Sequence, residues 1–173
     1  MPPHCDSLDG PVVRAASRAL DAENVDLVLP FVHEDGEEEL RQAFDLALEA
    51  RTQGPEAHAV ADRYFFETAV RIHRAGEGAP YTGLKPAGLD VGPVIPLAER
   101  AINDGDPTVL ADFLATAVRD ETRRRFDEMA AAQPGPHSTV PEVREYVEQM
   151  LGLQVWSHKL HQRMLGPAHE SAS

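Results

Sequence analysis

Residues 63–88 read RYFFETAVRIHRAGEGAPYTGLKPAG, from Arg63 to Gly88. At about 100° per residue, Ala61, Phe65, Phe66, Ala69, Val70 and Ile72 share one broad helical arc, and His73 falls inside it. Tyr64, Glu67 and Arg71 fall on the opposite side, where the spacing of Glu67 and Arg71 suits a surface ion pair. Gly76, Gly78 and Pro80 end the helix, and the passage on to Gly88 is shaped by turns. This amphipathic helix, in a chain with no alternating β-branched segment, points to an all-α fold.

Toward the N-terminus the same period recurs. Asp9 precedes Gly10 and Pro11, and Val12, Val13, Ala16, Ala19 and Leu20 mark a first helix of about three turns, with Asp9 as its cap. Asn24 is placed to cap a short second helix over Val25 to Val32. His33, Glu34, Asp35 and Gly36 interrupt it, and Asp35 with Glu38 has capping-box spacing. A third helix carries Leu40, Phe44, Ala47 and Leu48 on one face to about Gln53. Gly54 and Pro55 separate it from the fourth, which contains the stretch quoted above.

Toward the C-terminus the chain repeats itself. GPVVRAASRALDAENVDLVLPFV from Gly10 aligns without a gap on GPVIPLAERAINDGDPTVLADFL from Gly92, with 7 identities in 23 positions. The same offset superposes Phe44-Asp45 on Phe126-Asp127. We read this as an internal duplication, with Asp106 answering Asn24 as a cap and Pro107 at the first helical position. A long helix with Phe113, Val118, Phe126 and Met129 breaks at Pro134-Gly135-Pro136. Thr139 and Glu142 form a capping box for a last helix, whose buried side is expected to hold Val143, Tyr146, Val147, Met150, Leu151, Val155 and Leu160. The expectation is a single helical domain over residues 1–173. It is a bundle of about six helices in two related halves, 10–75 and 92–165, with a connection over 76–91 and a frayed tail over 166–173.

Composition narrows the function classes. With 173 residues, 42% hydrophobic and 26% charged, the chain is globular in type. No apolar run approaches the ~18 residues of a membrane span. The start, MPPHCDSLDG, has neither a basic segment nor an apolar signal core, so a cytoplasmic location is expected. A formal charge of -13 argues against nucleic acid and anionic membranes as partners. It leaves a small anion, a metal ion or a homo-oligomer. Cys5 is the only cysteine, so the chain holds no internal disulfide and no multi-cysteine zinc site.

The residues that can carry chemistry fall in two groups. His4, Cys5 and Asp6 are adjacent and each can bind a transition metal; thiolate with imidazole suits zinc, nickel, copper or iron. His33 and Glu34 sit at a helix break where the second half has Ala115 and Thr116, so the scaffold does not demand them. Glu37, Glu38 and Glu39 behind them suit the positive end of a helix. His73, in the apolar arc, is placed to be either a core histidine or a ligand, and its spacing to Glu77 suits an ion pair. Arg71, Arg74, Tyr81 and Lys85 bracket the glycine-rich connection and form a candidate site for a carboxylate or phosphate. His158 and His161 share a helical face. No Walker motif, dinucleotide fingerprint, Glu-x-x-His pair or His-Glu-x-x-His motif is present, so no nucleotide cofactor is expected.

HCDSLDGPVV together with YFFETAVRIHRAGEGAPYTGLKPAG resembles an uncharacterised family of prokaryotic all-helical proteins that share both blocks. In some of its members the His-Cys-Asp follows a secretory signal. The same tripeptide resembles the start of nickel superoxide dismutase, whose His-Cys-Asp-x-x-Cys-Gly hook holds nickel. His4, Cys5, Asp6 and Gly10 match that hook, while Asp9 stands where its second cysteine belongs. That resemblance implies metal binding by His4 and Cys5.

Two functions are therefore expected in competition. One is a metal-binding protein or metalloenzyme whose N-terminal segment folds back so that His4 and Cys5 meet His33, Glu34 or His73, with the thiol pKa lowered by a metal or by Arg74. The other is a metal-free helical module that takes an anion or a protein partner between Arg71 and Lys85.

Overall fold

The structure, a computed structural model, describes residues 3–166. It is all-α. The helices are α1 (Pro11–Asp21), α2 (Glu37–Arg51), α3 (Pro55–Gly76), α4 (Val94–Asp104), α5 (Thr108–Ala131) and α6 (Val140–Leu165). Among the described residues, extended chain pairs only at an isolated parallel bridge between Ser7 and Lys85. The chain divides into two compact units, the first running to Gly92 and the second beginning at Pro93.

The first unit holds every buried apolar residue among those described. Val12, Val13, Ala15, Ala16, Ala19 and Leu20 line the inner side of α1, and the alanines let its backbone approach its neighbours closely. Leu40, Ala43, Phe44 and Ala47 of α2 and Ala61, Phe65, Ala69, Val70 and Ile72 of α3 complete the core. The Phe44 and Phe65 rings meet tilted, with centroids 5.5 Å apart, a favoured aromatic geometry. Arg51, at the end of α2, reaches Asp21 of α1 and Asp62 of α3, each at 2.8 Å. One guanidinium therefore ties three helices together.

Several local expectations are corrected. Val25 to Val32 does not form a helix; it forms two 3-10 turns, Val25–Leu27 and Leu29–Phe31. Asn24 does cap, accepting the Asp26 N–H at 3.0 Å. The segment is nonetheless too short to offset the cost of helix nucleation, and Pro30 has no N–H to continue an α-helical ladder. Asp35 and Glu38 form no capping box, because α2 begins after Gly36 without a side-chain cap. Glu67 pairs with Arg63 at 3.1 Å, and Arg71 crosses to Glu39 at 2.6 Å.

In the second unit, α5 begins beside Asp106, whose carboxylate accepts the Thr108 N–H at 2.9 Å. The start of α6 is capped from the expected pair, with the Thr139 N–H donating to the Glu142 carboxylate at 2.6 Å. The buried side expected of the last helix is only half covered. None of α4, α5 and α6 contains a fully buried residue. Phe113, Val118, Phe126, Val143, Val147, Leu151 and Val155 are exposed, and Tyr146, Met150 and Leu160 are half-buried. The segments from Gly10 and Gly92 begin alike, in 11-residue helices. They then diverge, one into 3-10 turns and the other into the 24-residue α5. No described helix is long and apolar enough to cross a membrane.

Candidate functional site

Most of the chemistry-bearing residues of the first unit gather at the C-terminal end of α3. The N-terminal chain reaches that end through a 3-10 turn, Pro3–Asp6. The turn is locked by the Ser7 hydroxyl donating to the His4 carbonyl at 2.9 Å and by the Gly10 N–H donating to the Ser7 carbonyl at 2.8 Å. A side chain at position 10 would run into the His4 carbonyl oxygen, so only glycine lets the turn lie against the start of α1. The connection after α3 closes over the turn. The Lys85 N–H donates to the Asp6 carbonyl at 2.8 Å, and the Leu8 N–H donates to the Lys85 carbonyl at 3.0 Å.

Asp9 does not cap α1. Its carboxylate accepts the Gly88 N–H at 2.8 Å, and that backbone donor holds the carboxyl below the usual range.

Arg74 is the hub. Its Nε donates to Asp6 Oδ1 at 2.6 Å and its Nη1 to Glu77 Oε2 at 3.1 Å. The Arg74 and Asp6 side chains are each 6% exposed. The Asp6 hydrogen bond raises the arginine pKa further. A buried charge survives only when paired in this way.

Cys5 is buried beside this pair, 6% exposed, with its Sγ 3.9 Å from His4 Nε2. Burial pushes the thiol pKa up; Arg74 opposes this without reversing it, and Glu77 and Asp6 add to the rise. The expected lowering by Arg74 is thereby corrected, because the cost of burying a thiolate outweighs the attraction of the guanidinium.

His73 projects from the same turn of α3, half-buried. Its Nδ1 lies 2.7 Å from the Phe31 carbonyl, which can only accept, so Nδ1 carries the proton. Nε2 is buried, 3.4 Å from Glu77 Oε1 at the i,i+4 spacing of an ion pair, and in no hydrogen bond.

The remaining candidates lie apart from this group. The His33 backbone and Cβ abut Gly76, where an added Cβ would stand 3.0 Å from His33 Cβ. The His33 imidazole, however, is exposed and turns to Asp35 at 3.6 Å. Glu34 is exposed. Arg71 pairs with Glu39 on the surface, and Lys85 Nζ donates to the Thr82 carbonyl at 3.0 Å. Tyr81 packs against the core, and burial raises its pKa. Arg71, Arg74 and Lys85 thus each have a partner of their own. Among the described residues no group of three or more His, Cys, Asp or Glu side chains is arranged to hold a metal ion.

Asp6 and Glu77 are the residues that sequence reasoning underrated. The spacings His73 to Glu77 and Arg74 to Glu77 were signals for the second, but nothing local announces that Asp6 meets Arg74.

One family model matches residues 9–156, which include the end of α3 and the connection that follows it. The chain belongs to DUF6448, a family of unknown function. The DUF6448 match takes in His73, Arg74 and Glu77, while His4, Cys5 and Asp6 precede its first matched residue. No curated protein and no solved structure matches the chain.

Proposed function

We propose that the first unit is a transition-metal-binding module, with His73, Glu77, Cys5 and His4 as donors at the end of α3. The observation that carries the reading is the orientation of the His73 ring. A histidine whose Nδ1–H is committed to a carbonyl, with Nε2 buried, in no hydrogen bond and beside a carboxylate, has the arrangement that orients metal-ligating imidazoles. Two donors on a tetrahedral zinc, sulfur at ~2.3 Å and nitrogen at ~2.0 Å, stand about 3.5 Å apart. The 3.9 Å between Cys5 Sγ and His4 Nε2 lies a small rotation away. Assembly requires the N-terminal turn to shift toward His73, and the thiol to give up its proton to the metal. A sulfur, nitrogen and carboxylate set suits zinc, nickel, copper or iron, and an open coordination position would make the module a metalloenzyme. In this reading His33 and Glu34 stay outside the inner set.

The test is elemental analysis of untagged protein loaded with each of those metals, beside His4→Ala, Cys5→Ser and His73→Ala. Stoichiometric metal in the wild type, lost in His73→Ala and Cys5→Ser, is the expected result. A wild type that retains none of the four metals after desalting sinks the reading.

A second reading is a metal-free module that takes a small anion or a protein partner through Arg71, Arg74, Tyr81 and Lys85. It is favoured by the buried Tyr81 hydroxyl, which lies beside the Leu84 backbone but makes no well-aligned hydrogen bond and so can accept a polar ligand. Phosphate or carboxylate titration followed by Tyr81 fluorescence decides it, and an unchanged signal removes it. A cytoplasmic location, no nucleic-acid partner and an origin by duplication complete the proposal. The equal lengths of α1 and α4 support the last of these.

A further inference from the structure

The second unit carries more apolar surface than it covers. On α6, Tyr146, Met150, Leu153 and Leu160 form one row that is half-buried. A second row, Val140, Val143, Val147, Leu151 and Val155, runs beside it at helical spacing and is open, from Val140 at 62% to Val143 at 37% exposed. α5 adds Val109, Phe113, Leu114 and Phe126, also exposed. The exposed α5 residues are spread round their helix, whereas the open α6 row lies on one face, and an apolar row of this kind marks an interaction site.

We propose that this surface associates with a second copy of the chain, with α6 packed antiparallel on α6 of the other copy about a two-fold axis. Three observations select that occupant.

The first is charge. In α6, Glu142, Glu145 and Glu148 lie in the first third with Arg144 alone among them, whereas Lys159 and Arg163 lie in the last third, with no carboxylate from residue 149 to 166. This polarity suits the helix's own dipole. An antiparallel copy also sets each acidic end against a basic end, which is the self-complementarity a two-fold interface requires. Glu148 and Lys159 lie about three turns apart, so both border the same edge of the open row. The two-fold axis brings that edge of one copy to the same edge of the other.

The second observation is architecture. α5 and α6 are 24 and 26 residues long, joined by residues 132–139 and held partly by Arg125 stacked 4.9 Å from the Trp156 ring centroid. This is the form of half a four-helix bundle, which a second hairpin closes.

The third is where the repulsion lies. Residues 1–92 carry 17 acidic against 8 basic side chains, and residues 93–173 carry 12 against 8. The face proposed to self-associate therefore belongs to the less acidic part of the chain.

The test is the mass of the full chain by sedimentation equilibrium across a concentration series. Wild type is expected to dimerise. Val147→Glu with Leu151→Glu, at sites open to solvent, is expected to give a monomer with unchanged helical circular dichroism. Glu148→Lys should weaken the dimer severalfold, and Glu148→Lys with Lys159→Glu should restore it. A wild type that stays monomeric up to its solubility limit overturns the proposal, as does a dimer that survives Val147→Glu/Leu151→Glu. Failure of the charge reversal to restore association overturns the antiparallel α6 pairing.

Discussion

Arg74 and Asp6 are 68 positions apart and meet at 2.6 Å with both side chains 6% exposed. This contact fixes the N-terminal turn to the end of α3 and brings Cys5 and Glu77 to the same place. Removing one member leaves the other charge buried and alone. Arg74→Ala should therefore cost about 3–5 kcal/mol, read as a fall in the urea midpoint. Arg71→Ala, which breaks the exposed pair with Glu39, should cost no more than ~1 kcal/mol. Equal losses in the two variants contradict the assignment of Arg74 as the buried anchor.

Cys5 should behave as a protected thiol. Its pKa is raised by burial, so the folded protein keeps the proton to higher pH than the unfolded chain does. Stability linked to this group is complete below the ordinary thiol value of ~8.5. It falls as the pH rises toward and through the higher folded value. Alkylation by iodoacetamide should be slow near neutral pH and rise only at alkaline pH, and Cys5→Ser should flatten the alkaline slope of stability. Rapid labelling of the native protein at neutral pH contradicts this.

Asp9 should govern the order of the connection after α3. Its carboxyl is held low by the Gly88 N–H, so the anchor persists somewhat below the ordinary aspartate value of ~3.9. It is lost as pH falls through the folded value, since a depressed pKa contributes stability only while the group is ionised. In Asp9→Ala, hydrogen exchange at the Gly88 amide should accelerate at neutral pH while the amides of α2 keep their protection. Unchanged exchange at Gly88 removes the anchor.

Gly10→Ala tests the tight approach of the N-terminal turn. The added Cβ meets the His4 carbonyl oxygen, a backbone atom that cannot rotate away, and overpacking of this kind costs about 1–3 kcal/mol. Gly135→Ala, with nothing within 4 Å of the added atom, should stay within ~1 kcal/mol of wild type. Thermal midpoints of the two variants give the comparison.

What the sequence by itself determined is the set of helices and their stops. The period of α3, the break at Gly54-Pro55, the end at Gly76 and the Thr139-Glu142 cap are written in residues within one turn of each other, and local backbone chemistry decides them. It misjudged Val25 to Val32, where a short segment containing proline takes its form from the core that Val28 enters. It marked the apolar rows of α5 and α6 but could not say which are covered, because amphipathicity names a face and not its partner. The tertiary structure alone decided that Asp6 finds Arg74, that Lys85 pairs beside Ser7, that Asp9 serves Gly88 instead of α1, and that Cys5 is pushed toward its neutral form. Each of these depends on groups far apart in the chain, whose charge and solvation are set only when folding removes water between them.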